Sequence, residues 1–110
     1  MSEVEFELGT VKYYRAAVRP KKAGRVFDPT GDDVFFAFLK RGTAWSEDLW
    51  AAGEWEYVDD EGWAHCMALV GEAPFDLEAG LYHVYARIVD NPEKPKEYLG
   101  VLRMRAPRTT

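Results

Sequence analysis

Apolar and polar residues alternate with a period of two over much of the chain, the spacing that turns one side of an extended strand toward a core and the other toward water. Glu3-Val4-Glu5-Phe6-Glu7-Leu8 alternates strictly, so Val4, Phe6 and Leu8 share one face. Gly9-Thr10 breaks that pattern, and Thr10–Arg19 (TVKYYRAAVR) predicts the next strand. A polar turn over 20–24 leads into Arg25-Val26-Phe27. Asp28-Pro29-Thr30-Gly31-Asp32 is a second turn, in which proline fixes φ and glycine is free to take a positive φ. Val34–Lys40 (VFFAFLK) abandons alternation for a continuous apolar run, which predicts a strand covered on both faces. Gly42–Gly53 is the least β-like part. There Ser46 predicts the cap of a short helical turn, with Glu47 and Asp48 in its first turn and Gly53 ending it. Glu54–Val58 and Trp63–Val70 predict a hairpin around Asp59-Asp60-Glu61-Gly62, with Gly62 in the left-handed conformation. After a loop over 71–79, Leu81–Asp90 and Tyr98–Arg105 predict the last two strands, joined by a connector guarded by Pro92 and Pro95.

About seven short strands with turns every 8–12 residues or so is the pattern of a two-sheet sandwich. Glu78-Ala79-Gly80-Leu81-Tyr82 resembles the tyrosine corner that opens the penultimate strand of such sandwiches, where the hydroxyl bonds back to nearby backbone. The expected fold is therefore all-β, an immunoglobulin-like β-sandwich in a single domain over 1–110. Residues 1–9 can form an extended N-terminal arm, and 106–110 a C-terminal tail. Tyr82, Val84, Ala86 and Ile88 should face inward and His83, Tyr85 and Arg87 outward. Trp55 is the candidate core indole, so Gly80, Tyr82 and Trp55 are the expected structural residues.

Composition narrows the class. Hydrophobic residues at 47% and aromatics at 15% exclude a disordered chain. No apolar run approaches the ~20 residues that a membrane span requires, so no membrane partner is expected. The N-terminus MSEVEFELG has no basic stretch followed by an apolar one, hence no secretory signal is expected. Cys66 is the single cysteine, which rules out an internal disulfide and fits synthesis in a cytoplasm. Its apolar neighbours predict a buried, inert thiol. The net charge of −5 is unevenly spread: 28–93 carries three basic and fifteen acidic side chains, whereas 94–110 carries five basic and one acidic. Either the acidic surface is simply solvated, or the subunit is dipolar and its basic end meets an acidic neighbour. The basic groups form no aromatic-interleaved stripe, so no nucleic-acid partner is expected.

Chemistry-bearing clusters are missing from the pattern. His65 and His83 fall on different predicted strands, and adjacent His65 and Cys66 point to opposite faces, which disfavours a shared metal. Asp59-Asp60-Glu61 lacks the alternating spacing of a calcium loop, and no glycine-rich phosphate loop is present. No catalytic residue, metal or cofactor is expected, and the chain is read as a non-enzyme. The aromatics stand out instead. Trp45 and Trp50 lie on a loop that either packs on the sandwich edge or presents an exposed platform for a sugar. The Val4/Phe6/Leu8 segment is either the first strand of its own sheet or an arm that pairs with a neighbour's sheet edge. Val4, Phe6, Leu8, Trp45 and Trp50 are thus the candidate interface residues.

Several phrases together resemble a group of small virion proteins of tailed bacteriophages, especially those of actinobacteria. The phrases are Asp28-Pro29-Thr30-Gly31 with Val34 and Ala37, Trp50-Ala51-Ala52-Gly53-Glu54-Trp55-Glu56, Leu69-Val70-Gly71, and Gly80 through Pro95 with Gly100. The first phrase is also similar to the N-terminal sandwich of upper-baseplate proteins. Tyr85 stands where the pattern usually has tryptophan. The resemblance implies a multi-copy, non-catalytic building block of the virion, synthesised in the host cytoplasm and bound to other virion proteins. A capsid-associated or decoration protein, or a head–tail connector, is the leading expectation. A tail or baseplate subunit, or a glycan- or receptor-binding module, is the alternative.

Overall fold

The computed structural model describes residues 3–22, 24–89 and 94–107. Ten strands are present among them: β1 (Glu3–Glu7), β2 (Lys12–Val18), β3 (Lys21–Lys22), β4 (Arg25–Val26), β5 (Asp33–Lys40), β6 (Ala51–Ala52), β7 (Glu54–Val58), β8 (Ala64–Val70), β9 (Gly80–Val89) and β10 (Lys96–Arg105). Three of these are two-residue pieces, which leaves seven of substantial length. They form a five-stranded sheet in the order β1-β10-β9-β5-β6 and a three-stranded sheet in the order β2-β8-β7, with β3 and β4 as a small separate ribbon. The two larger sheets face each other as a β-sandwich. All pairings within them are antiparallel except β1 with β10, which run parallel in the register Glu3↔Val101 to Glu7↔Arg105.

The period-two pattern explains the core. Along β9, Tyr82, Val84, Ala86 and Ile88 are buried, and the residues between them are half-exposed on the outer side. β8 repeats the rule with Ala64, Cys66, Ala68 and Val70 inward. Tyr14 from β2 meets Phe36 and Phe38 of β5 edge-to-face, with centroids 6.4 and 5.8 Å away, the arrangement that ring quadrupoles favour. Phe75 closes the same cluster from the 71–79 loop, 5.0 Å from Phe38. β5 is covered on both faces as its apolar run predicts. Phe36 and Phe38 point into the sandwich, and Ala37 is buried on the other side, where the 45–50 segment packs on β5.

The N-terminal segment adopts the first of its two expected states. Phe6 is buried and Val4 and Leu8 pack against the core, while the strand pairs with β10 of its own chain. Glu3 and Glu5 on the outer side reach Arg103 and Arg105 at 3.3 and 2.9 Å. Phe6 is thus part of the core of its own chain, and Val4 and Leu8, half-buried, pack on that core.

Several boundaries differ from expectation. The helical turn is a 3-10 turn over Glu47–Leu49, capped as predicted by the Ser46 hydroxyl, which accepts from the Asp48 N–H at 3.2 Å. It ends at Trp50 and not at Gly53, because Ala51 and Ala52 add to the edge of β5. β8 starts at Ala64, since Trp63 belongs to the turn: its N–H donates to the Asp59 carboxylate at 3.0 Å. Gly62 has φ +86°, the left-handed conformation expected there. β10 starts two residues early, and an irregularity between Tyr98 and Gly100 turns Leu99 inward. Trp55 is half-buried rather than fully enclosed. It packs against both core clusters and donates its indole N–H to the Asp32 carbonyl at 2.8 Å. The connector over 90–93 and the last tail residues, 108–110, lie outside the described residues, whereas Ala106 and Pro107 carry no regular structure.

Candidate functional site

The outer face of the five-stranded sheet carries a strip of rings. Alternation along β9 puts His83, Tyr85 and Arg87 on this face, and the register Tyr98↔Tyr85 brings the β10 tyrosine beside them. His83 Nδ1 lies 3.1 Å from the Tyr98 hydroxyl. The Tyr85 and Tyr98 rings are 5.3 Å apart, and Trp45 meets Tyr85 at 5.6 Å and Trp50 at 5.5 Å. Trp45 and Tyr98 remain 37% and 44% exposed, so the strip is open to solvent at these two rings.

Glu47 fastens the tryptophan loop to the sheet. Its carboxylate accepts from the Trp45 indole N–H at 2.8 Å and from Arg87 at 3.2 Å. The Trp45 bond, with help from the nearby guanidinium, holds the Glu47 carboxyl below its ordinary pKa. Arg87 lies 4.6 Å from the Trp50 ring centroid, and the Lys96 ammonium lies 4.8 Å from Trp45 and 5.2 Å from Tyr85. Both are cation–π contacts. Arg87 has a carboxylate as well. Lys96 has none among the described residues.

A second patch of exposed rings sits at the β7–β8 hairpin, on the other sheet. Tyr57 is 54% exposed and stacks flat on His65, with centroids 4.3 Å apart and planes at 10°. Trp63 is 38% exposed beside them. Asp59 organises the turn: one carboxylate oxygen accepts from the N–H groups of Glu61 and Trp63, and the other lies 3.0 Å from His65 Nε2. The imidazole contact, ahead of the two backbone bonds, holds the Asp59 carboxyl low. Asp60 and Glu61 are exposed at the tip, without an ion-pair partner among the described residues.

Elsewhere the structure offers reacting groups little. Cys66 is fully buried on the inward side of β8, opposite to His65, and burial pushes its thiol up to about 12. Among the described residues no group of three or more His, Cys, Asp or Glu could hold a metal ion, and no helix is long and apolar enough to cross a membrane. An open groove of about 300 Å³ at the edge between the sheets is lined by Gly53, Met67, Leu69, Pro74 and Phe75, with Glu54 as its one ionisable neighbour.

The expected site residues thus divide. Trp45 and Trp50 join the outer strip, whereas Val4 and Phe6 of β1, with Leu8 just after it, pack on the core. Tyr82 makes the bond of a tyrosine corner: its hydroxyl donates to the Glu78 carbonyl at 2.8 Å, just before Gly80 opens β9. The sequence pattern did place His83, Tyr85 and Arg87 outward. It missed Tyr98 and Lys96 as members of the strip, because their strand partners are read only from register. It also missed the Glu47–Arg87 contact, which joins residues forty positions apart. No protein-family model, curated protein or solved structure matches the chain.

Proposed function

We propose that this chain is a non-enzymatic structural subunit of a tailed-phage virion, a capsid-associated, decoration or head–tail connector protein built on an immunoglobulin-like sandwich. The observation that carries the reading is the outer strip: Trp45, Tyr85, Tyr98 and Lys96 sit together on a rigid sheet as a surface for contact. Contact surfaces are rich in Trp and Tyr, whose rigid rings supply large area at low ordering cost. The strand orders β2-β8-β7 and β5-β9-β10 correspond to the B-E-D and C-F-G arrangements of immunoglobulin domains, and the Tyr82 corner bond supports the same fold. The resemblance of the Asp28–Gly31, Trp50–Glu56 and Gly80–Pro95 phrases to phage virion proteins supplies the biological setting. A sugar-binding module is the second reading, favoured by the exposure of Trp45. Against it, the Trp45 and Trp50 planes stand at 72°, which gives a sugar no flat two-ring platform.

The test is the particle itself. Mass spectrometry of purified virions should find the chain in stoichiometric amounts, and a cryo-microscopy map should place the sandwich against other virion proteins. Its absence from purified particles would sink the proposal.

A further inference from the structure

The large apolar side chains left exposed fall mainly into two patches on opposite sheets: Trp45 and Tyr98 on one, Tyr57, Val58 and Trp63 on the other. Scattered exposed apolar residues need no explanation, but rings gathered beside unpaired charge mark contact surfaces. The charges differ in sign. Lys96 stands over Trp45 and the neighbouring Tyr85 with no carboxylate partner among the described residues, and Lys94 is exposed two residues earlier. Asp60 and Glu61 are exposed at the tip of the second, with no cation partner among the described residues. Arg19 lies over Trp63 at 5.9 Å, on the flank of that patch rather than beside the carboxylates in any ion pair.

We infer that the two patches are halves of one interface between copies of this chain. The β7–β8 hairpin tip of one copy docks on the Trp45–Tyr98 strip of the next, with Asp60 and Glu61 against Lys96. Two considerations select a second copy over a foreign partner. The two halves are present on one molecule with complementary charge, and both are rigidly built: Glu47 ties down the tryptophan loop, and Asp59 with His65 ties the hairpin turn. Because the halves are different surfaces, the contact is head-to-tail and extends into a ring or an open row rather than closing as a two-fold dimer. The inference rests on reading the chain as an assembly subunit, yet it is tested on the isolated protein. A chain missing from virions but self-associating would defeat only the first reading, and a monomeric chain found in virions only the second.

The experiment is sedimentation velocity of the full chain over a range of concentrations. The weight-average mass should rise above the 12.6 kDa of one copy and fall back as salt goes from ~0.1 to ~1 M, which cuts the Debye length from about 10 to about 3 Å. Lys96→Glu, and separately the double variant Asp60→Lys/Glu61→Lys, should each weaken association at least about tenfold, the equivalent of about 1.4 kcal/mol. All three positions are exposed, so unchanged melting temperatures will show that the variants fold. Mixing the two should restore association, because each then meets a partner of opposite sign. Trp45→Ala should abolish it independently of charge. A protein that stays monomeric throughout, association untouched by Lys96→Glu, or a mixture that fails to recover would overturn the inference. Binding of Trp45 and Lys96 to an acidic polysaccharide such as polysialic acid by a strictly monomeric chain would overturn it in favour of a glycan.

Discussion

The Tyr82 hydroxyl offers a sharp test of how the sandwich is clasped. It donates to the Glu78 carbonyl at 2.8 Å, and the ring itself is almost wholly buried. The bond pins the end of the 71–79 loop, which carries the chain from the three-stranded sheet to the five-stranded one, against the start of β9. Tyr82→Phe removes the donor, keeps the ring packing, and leaves the Glu78 carbonyl without its intramolecular partner. A net protein hydrogen bond is worth about 1 kcal/mol, and an orphaned partner raises the loss, so about 1–2 kcal/mol is expected. For a domain of this size that corresponds to a melting temperature lower by roughly 4–8 °C per kcal/mol. The Lys40–Glu78 ion pair at 2.7 Å stays in place in the variant. Being largely exposed, it contributes too little to mask the change. Calorimetry and urea titration of Tyr82→Phe, with Tyr57→Phe as an exposed control, decide the matter. A midpoint unchanged from the parent, or shifted no more than the control, refutes the clasp.

Two further outcomes follow from packing and charge. A Cβ placed on Gly53 would run into the Phe36 ring, so Gly53→Ala should destabilise by about 1–3 kcal/mol through overpacking, read as a lower urea midpoint; a neutral result would show that Phe36 can yield. Glu47 and Asp59 have folded-state pKa values held below their unfolded ones, by Trp45 and by His65 first of all. Their contribution is then complete above the ordinary carboxylate pKa of about 4 and is lost as pH falls through the lower folded values. The melting temperature should drop on acidification below about pH 4, and Glu47→Gln/Asp59→Asn should flatten that limb; parallel acid limbs for parent and variant would contradict the assignment.

Period-two alternation made the sandwich legible, because a strand's inward set depends only on its own residues. Tyr82, Val84, Ala86 and Ile88 are inward for that reason, and the corner bond was visible in the spacing of Glu78 and Tyr82. The ends of elements were less legible, since they depend on what the neighbouring segment bonds to. Trp63 looks like a strand residue until Asp59 claims its N–H for the turn. Ala51 and Ala52 look like the end of a helical turn until β5 offers them an edge. The strip was half-legible. Trp45 and Trp50 announce themselves by size, and β9 supplies Tyr85 and Arg87. Which of these rings meet, and which cation stands over which ring, depends on inter-strand register and loop docking that no local pattern encodes.

The parallel pairing of β1 with β10 has a consequence for how the chain reaches this state. It joins residues nearly the whole chain apart, with Glu3 opposite Val101 and its carboxylate on Arg103. Contacts of such long sequence separation carry a large loop-closure entropy and slow folding. Among the described strands β1 precedes all others in the sequence, and its partner β10 follows all others. Whenever β1 is undocked, the side of β10 away from β9 is an unpaired edge, open to other extended chains. Docking of β1 covers that edge, so the first strand of the sequence seals this flank of the sheet against misassembly.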